Sequence, residues 1–358
     1  MLGALPAAAG CSMLHVPPVQ ESRSKDNYLH DRDQWNRFPN IRQFCVDQHG
    51  HPYPDPAAVR IDAAQLQKAG VCVKKVLEAS GAYDEEAVCA SFADEVNRMC
   101  SDGSTLIVLI HGFNHAYGEI HRAYKGTRIQ IERLYPGRKF AYLEVYWDGY
   151  YGDPLAIWPL AQVSSKWAGL GLRRLLGRLD AAIPIRVITH SRGAAVICSA
   201  LWNTPMRGKP EEDQLYREAQ QALPPPVLPA LRMGLLAPAM RPADFETYFE
   251  RGGVLACLHD RIILGINPDD VALKAGGLSW LAGTSLGCGL DLFETSVAPL
   301  LNRGRACAFA VDFSGSEFHA FTDYVLRDPF EQEFLPLLLG DPSPGYQASS
   351  RPAIARIP

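Results

Sequence analysis

The stretch Ile185-Arg-Val-Ile-Thr-His-Ser191-Arg-Gly193-Ala-Ala-Val-Ile-Cys-Ser-Ala200 decides how this chain reads. A β-branched apolar run leads into Ser191, and a run of small residues suited to a helix leads away from it. Strand, sharp turn and helix together lift a serine hydroxyl above the end of a sheet and make it a candidate nucleophile. So tight a turn excludes bulk two positions on, where Gly193 stands. It also aims the Arg192 amide at the place an oxyanion would occupy. Thr189 fills the first glycine position of the strict G-x-S-x-G pattern, so the motif alone is of moderate specificity.

Upstream stands Thr105-Leu-Ile-Val-Leu-Ile-His111-Gly-Phe-Asn114, an apolar run that reads as a buried strand. The loop after such a strand supplies a second oxyanion donor. Gly112 lets the backbone pass close to a substrate, and the Phe113 amide is the candidate donor. Asn114 is expected to hold the loop's shape, and His111 to pack and hydrogen-bond beneath it. His115 and His121 read as surface residues.

A serine needs a base to take its proton and a carboxylate to hold that base in the right tautomer. Of ten histidines, only His259 and His319 follow Ser191. His259 stands at the entry of a strand, and His319 follows one in Ser316-Glu-Phe-His319, so His319 is the candidate base. For the acid, Asp270, Asp269 and Asp260 are all in reach, with Asp269 able instead to cap a helix starting at Val271. A literal G-x-S-x-G at Gly283-Thr-Ser-Leu-Gly287 is set aside, because no clean strand precedes Ser285 and Asp291 follows too soon.

Elsewhere strands are expected at 139–146, 233–238, 261–267 and 306–312, and helices at 62–79, 84–100, 117–134, 154–179, 192–203 and 245–250. Residues 205–230 read as a charged helix-like excursion, and 12–60 resist regular assignment. Strands alternating with helices imply an α/β fold with a mainly parallel sheet covered on both faces. The aromatic segment Tyr146–Trp158 falls near the mouth of the site, and Trp147 and Trp158 are candidate pocket walls. Arg192 could meet an acidic substrate or be paired.

The chain has 358 residues, 47% of them apolar, and a formal net charge of −4. That balance argues against nucleic acid as a partner. No run of about 18 apolar residues offers a transmembrane helix. The nine cysteines form no C-x-x-C pair, and Cys198, Cys257 and Cys307 read as buried thiols. No phosphate-binding loop, dinucleotide fingerprint or metal-ligand spacing is visible, so neither cofactor nor metal is expected. Leu5-Pro-Ala-Ala-Ala-Gly-Cys11 resembles a bacterial lipoprotein box, although no Lys or Arg precedes it. A leader truncated at its start would make this an envelope lipoprotein anchored at Cys11; a true start at Met1 would make it cytoplasmic.

On these residues the chain resembles the bacterial lipase- and esterase-like serine hydrolases of the α/β-hydrolase superfamily. The resemblance rests on His111-Gly-Phe-Asn114, His190-Ser-Arg-Gly193, Ala237-Pro238, Asp270-Val-Ala-Leu273 and His319-Ala-Phe321, and spans roughly 84–330. It implies the α/β-hydrolase fold, the set Ser191, Asp270 and His319, and hydrolytic activity, but no substrate; the substrate expected of this serine mechanism is a small-molecule or lipid-like ester. The matching Asp-x-Ala-Leu favours Asp270 as the acid. The division expected is a leader or tail at 1–20, an irregular extension at 21–60, the hydrolase domain at 61–340 and a disordered tail at 341–358. Acyl transfer or amide cleavage by the same residues is the second reading. A non-catalytic binding module on the same scaffold is the third.

Overall fold

The computed structural model describes residues 38–53, 68, 72–79, 81, 83–115, 117–148, 154–206, 210–228, 230–240, 261–274, 285–289, 291, 294–295 and 307–340. Cys11, Cys257, His259, Asp260, the helix expected at 245–250 and the tail from 341 lie outside them.

The strands are β1 (Ile41–Val46), β2 (Thr105–Ile110), β3 (Phe140–Trp147), β4 (Ile185–His190), β5 (Leu231–Leu236), β6 (Arg261–Ile266) and β7 (Cys307–Asp312). They form one sheet in the order β1-β3-β2-β4-β5-β6-β7, with every pair parallel. Strands β2, β3, β4 and β5 are buried along their whole length. Such strands need no polar alternation, which is why their sequences are nearly continuous apolar runs.

The helices are α1 (Val73–Glu78), α2 (Glu85–Cys100), α3 (Tyr117–Leu134), α4 (Pro154–Leu176), α5 (Gly193–Leu201), α6 (Pro210–Ala222), α7 (Val271–Lys274), α8 (Phe321–Val325) and α9 (Leu335–Leu339). Helix α2 starts at Asp84, whose carboxylate accepts from the amides of Glu86 and Ala87. The long helix α4 lies along α5 and touches α2 and α6, whereas α3 packs with α8. No helix of the described residues is long and apolar enough to cross a membrane.

The connection from β2 leads to β3 on one side, and the connection from β4 leads to β5 on the other. The loops after β2 and β4 therefore diverge, and a crevice opens between the carboxyl ends of these adjacent strands. Both Ser191 and the 111–114 loop stand at that crevice.

One strand was not expected. Ile41–Val46 falls within the stretch that resisted assignment, yet it is the edge strand β1. Arg42 and Gln43 break its apolar run, and the side-chain partners that answer them are distant in sequence. Arg42 pairs with Glu95 on α2 at 2.9 Å, and Gln43 donates to Glu144 on β3 at 3.0 Å.

The position of α5 depends on its fit against α4. A Cβ on Gly169 would stand 2.4 Å from Ser199 Cβ and 2.5 Å from the Val196 carbonyl oxygen. At the far end of α5, buried Arg173 donates to the carbonyls of Ser199, Ala200 and Trp202. A cation there satisfies the last carbonyls and opposes the helix dipole. Helix α6 docks at this same end, where Tyr216 hydroxyl lies 2.5 Å from Ser199 Oγ. Tyr216 of the 205–230 excursion thus meets α5 about 12 Å along the helix from Ser191. Gly169→Val should cost about 3 kcal/mol through overpacking of this contact, read as a lower urea midpoint. A change below about 0.5 kcal/mol would show that the two helices part easily.

Candidate functional site

Ser191 lies between β4 and α5 with φ +51°. Among the described residues other than glycine, the other positive φ values belong to Asn114 (+59°) and Ala237 (+45°). All three follow the carboxyl ends of neighbouring strands, β4, β2 and β5. Left-handed backbone at serine and alanine is strained, and such strain persists only where surrounding bonds over-determine it. Here the Ser191 amide donates to Leu236 O at 2.9 Å, and the Ser191 carbonyl accepts from Ala194 and Ala239 at 3.2 Å each. The Ala237 amide donates to Gly265 O at 2.9 Å.

Two glycines make the crevice close. A Cβ on Gly193 would lie 2.6 Å from His111 O and 2.7 Å from Ile110 O. A Cβ on Gly112 would lie 2.8 Å from Ser191 Cβ. Neither position admits a side chain without moving backbone, so the elbow and the 111–114 loop touch through glycine alone.

Ser191, His319 and Asp270, far apart in sequence, are brought into one hydrogen-bonded chain. His319 Nε2 lies 2.8 Å from Ser191 Oγ, and His319 Nδ1 lies 2.6 Å from Asp270 Oδ2. An ionised carboxylate only accepts, so Nδ1 carries the proton and Nε2 is left to accept from the serine hydroxyl. Asp270 is fully buried. Its Oδ1 accepts from the amides of Ala272 and Leu273 at 3.0 and 3.2 Å. Its Oδ2 accepts from His319 and from the Tyr324 hydroxyl, the latter at 2.5 Å. Four donors fill its acceptor sites and fix its plane.

Asp269 does not cap α7, as its sequence position had suggested. Its side chain accepts from the Gly315 amide at 2.7 Å, and Asp270 makes the capping bonds. Tyr324 and Asn267 were not singled out from sequence. Asn267 Nδ2 donates to Ser316 O at 2.9 Å and to the Tyr324 hydroxyl at 3.2 Å. Burial raises the Tyr324 phenol far above its ordinary value, as does Asp270 beside it, so it stays a donor. Nothing local in the sequence marks either residue; only the return of α8 to the end of β6 joins them to Asp270.

His111 packs beneath the loop. Trp147 N donates to its Nε2 at 3.1 Å, so the proton on Nδ1 faces Gly112 O at 2.6 Å. Trp147 stacks on this ring and its indole donates to His111 O at 2.9 Å. Trp158 meets the Phe113 ring edge-on at 4.8 Å. Both tryptophans are almost wholly buried and brace the loop from behind, so the expectation that they wall the groove at the site needs correcting. That groove, about 630 Å³, is lined instead by Phe113, Asn114, His115, Ile120, His319 and Ala320, among others. His121 is likewise not at the surface: it is buried and stacks on Tyr117, on the inward side of α3. His115 is half-buried, 5.6 Å from the His190 ring.

The Arg192 side chain turns inward. Its guanidinium donates to Ser165 Oγ, Ala239 O and Gln162 O at 3.1–3.3 Å and lies over Trp158. The pairing alternative, not contact with an acidic substrate, is what the fold adopts. Ser285 sits at the start of a short 3₁₀ turn, Leu286–Cys288, whose Gly287 amide donates to Pro238 O. Among the described residues, donors of metal-ligating type gather at Asp47, His51 and Cys72, three strands from β4.

Comparison of the chain with protein-family models, with curated proteins and with solved structures finds no match.

His190, directly before Ser191, is fully buried and stacks on Phe321, with His319 4.8 Å away. Burial, then the neighbouring His319, His115 and His111, hold its pKa well below the ordinary value. The unfolded chain can protonate it below about pH 6.5 and the folded chain cannot. Its contribution is therefore lost from stability as pH falls. His190→Phe should shrink the stability difference between pH 7 and pH 5 by up to about 2 kcal/mol, measured by urea unfolding at both values. An unchanged difference would mean that His190 takes its proton without unfolding.

Proposed function

We propose that this protein is a serine hydrolase of the α/β-hydrolase type that cleaves a small or lipid-like carboxylic ester. The observation that carries the reading is the continuous chain Asp270–His319–Ser191, with both His319 nitrogens committed in the order that general-base catalysis needs. The strained φ at Ser191 supports it, because the turn presents the hydroxyl at the sheet's carboxyl edge.

In this mechanism His319 Nε2 takes the Ser191 proton as Oγ attacks the ester carbonyl carbon. The carbonyl oxygen becomes an oxyanion facing the amides of Phe113 and Arg192, at the amino end of α5, where the helix dipole adds to the donors. Asp270 keeps Nδ1–H aligned and stabilises the imidazolium. The imidazolium gives its proton to the leaving alkoxide, and an acyl-enzyme remains. Water, deprotonated by His319, attacks the acyl carbon, and the proton returns to Ser191 as the acid leaves. The groove beside His319 is of the size that takes small ligands. Phe113, Ile120, Ala272 and Phe321 line this groove, which suits an apolar substrate portion.

A fluorophosphonate probe should modify Ser191, with the adduct located by peptide mass spectrometry and abolished in His319→Ala. Ser191→Ala should lower kcat on a short ester by about 10⁴-fold or more. Absence of an adduct in folded protein, or retention of most activity in Ser191→Ala, would sink the reading. Tyr324 touches no reacting atom and acts as a positioning residue. Tyr324→Phe removes one donor from Asp270, and should lower kcat about 10–100-fold with little change in KM; a change confined to KM would contradict that role.

A further inference from the structure

At the other end of the sheet's carboxyl edge, three residues of different ligand chemistry converge. Asp47 follows β1, His51 lies in the turn after it, and Cys72 immediately precedes α1. One donor atom from each lies within 4.8 Å of the others. Asp47 and Cys72 are buried and His51 is half-buried.

Each is prepared for a ligand role. Asp47 Oδ1 accepts from the His49 and His51 amides at 2.9 and 2.8 Å, and Oδ2 accepts from the Val73 amide at 2.8 Å. A carboxylate has about four acceptor sites, so roughly one remains, on the oxygen beside Cys72's own helix. His51 Nδ1 lies 2.5 Å from Glu85 Oε1. Glu85 is itself held by Arg174 and, at 3.5 Å, by Lys74. A carboxylate fixing one imidazole nitrogen while the other faces a metal is the usual outer support of a metal-binding histidine.

The nearby cations Lys74 and Arg174 are engaged by Glu85, and a second buried carboxylate stands close to Asp47. Asp148 follows β3 as Asp47 follows β1, and the two are neighbours because Val46 and Trp147 are register partners. Asp148 is fully buried, and its Oδ1 has no hydrogen-bond partner among the described residues. Its other oxygen accepts from the Tyr53 hydroxyl at 3.4 Å. Two buried carboxylates next to a thiol form a region that a cation would neutralise.

We propose that Asp47, His51 and Cys72 bind a divalent transition-metal ion, zinc by the mixture of oxygen, nitrogen and sulfur donors, with one position left to water. Zinc bonds of about 2.0–2.3 Å place donors about 3.3–3.7 Å apart, so from separations within 4.8 Å binding draws the three together by at most about 1.5 Å. The ion would clasp the turn after β1 to the start of α1. This site is separate from Ser191 and does not depend on its chemistry.

The full chain, incubated with Zn²⁺ and dialysed, should retain one zinc per molecule by elemental mass spectrometry. Zinc should raise Tm by about 5 °C. Cys72→Ser and His51→Gln, checked for native near-ultraviolet dichroism, should lose the retained metal and the shift. Co²⁺ should produce a thiolate charge-transfer band in the wild type that Cys72→Ser lacks. Should His51→Gln fail to fold, the near-isosteric Cys72→Ser and the Co²⁺ band decide alone. No zinc retained by the wild type, or equal retention by Cys72→Ser, would overturn the proposal. Fluorophosphonate labelling of Ser191 should be the same with and without zinc, so the two readings stand or fall apart.

Discussion

The structure turns on the approach of two backbones. The loop leaving β2 and the turn leaving β4 meet with no side chain between them, because Gly112 faces Ser191 and Gly193 faces the carbonyls of Ile110 and His111. That contact fixes where a hydroxyl and two amides can converge. It demands neighbouring parallel strands whose connections depart in opposite directions, which the order β3-β2-β4-β5 provides. It also demands left-handed backbone at Ser191, at a cost of order 1–3 kcal/mol. Hydrogen bonds to Leu236, Ala194 and Ala239 hold the turn against that cost.

Around this contact the buried polar residues act as braces. Arg192, next to the candidate nucleophile, binds three oxygens on α4 and the β5 loop rather than facing solvent. Arg173 closes the opposite end of α5; burial lowers its pKa to about 10, which leaves it charged at neutral pH. The helix that carries the Arg192 amide is thus tied at both ends by guanidinium groups. Trp147 locks the 111–114 loop from below through two hydrogen bonds donated to His111 and a stack on its ring. Under the proposed mechanism such supports would matter, since a loosely held amide loses much of its electrostatic effect.

Much of the architecture was legible because fully buried parallel strands write themselves as apolar runs. The runs at 105–110, 184–189 and 233–238 read as strands for that reason, the last two lying within two residues of the observed β4 and β5, and α3 matched its expected bounds of 117–134. The edge strand β1 was not legible, since Arg42 and Gln43 conceal it until Glu95 and Glu144 are brought beside them. Trp147 and Trp158 were misplaced because an aromatic-rich segment reads alike whether it walls a groove or braces a loop. The packing of His111 and Phe113 made that choice.

By itself the sequence determined the parallel α/β character, the turn at Ser191, and three candidate residues by chain order and motif. Local chemistry was enough for most of this, with glycine where backbones touch and β-branched runs where strands are buried, while the preference for Asp270 over Asp269 and Asp260 came from the family resemblance of its Asp-x-Ala-Leu stretch. Tertiary structure alone decided which oxygen of Asp270 meets His319, that Tyr324 and Asn267 support it, and that Arg192 points inward. It alone gathered Asp47, His51 and Cys72. These are contacts between residues far apart in the chain, set by how the ends of neighbouring strands and helices return to one edge of the sheet. No local pattern of residues encodes a distance of that kind.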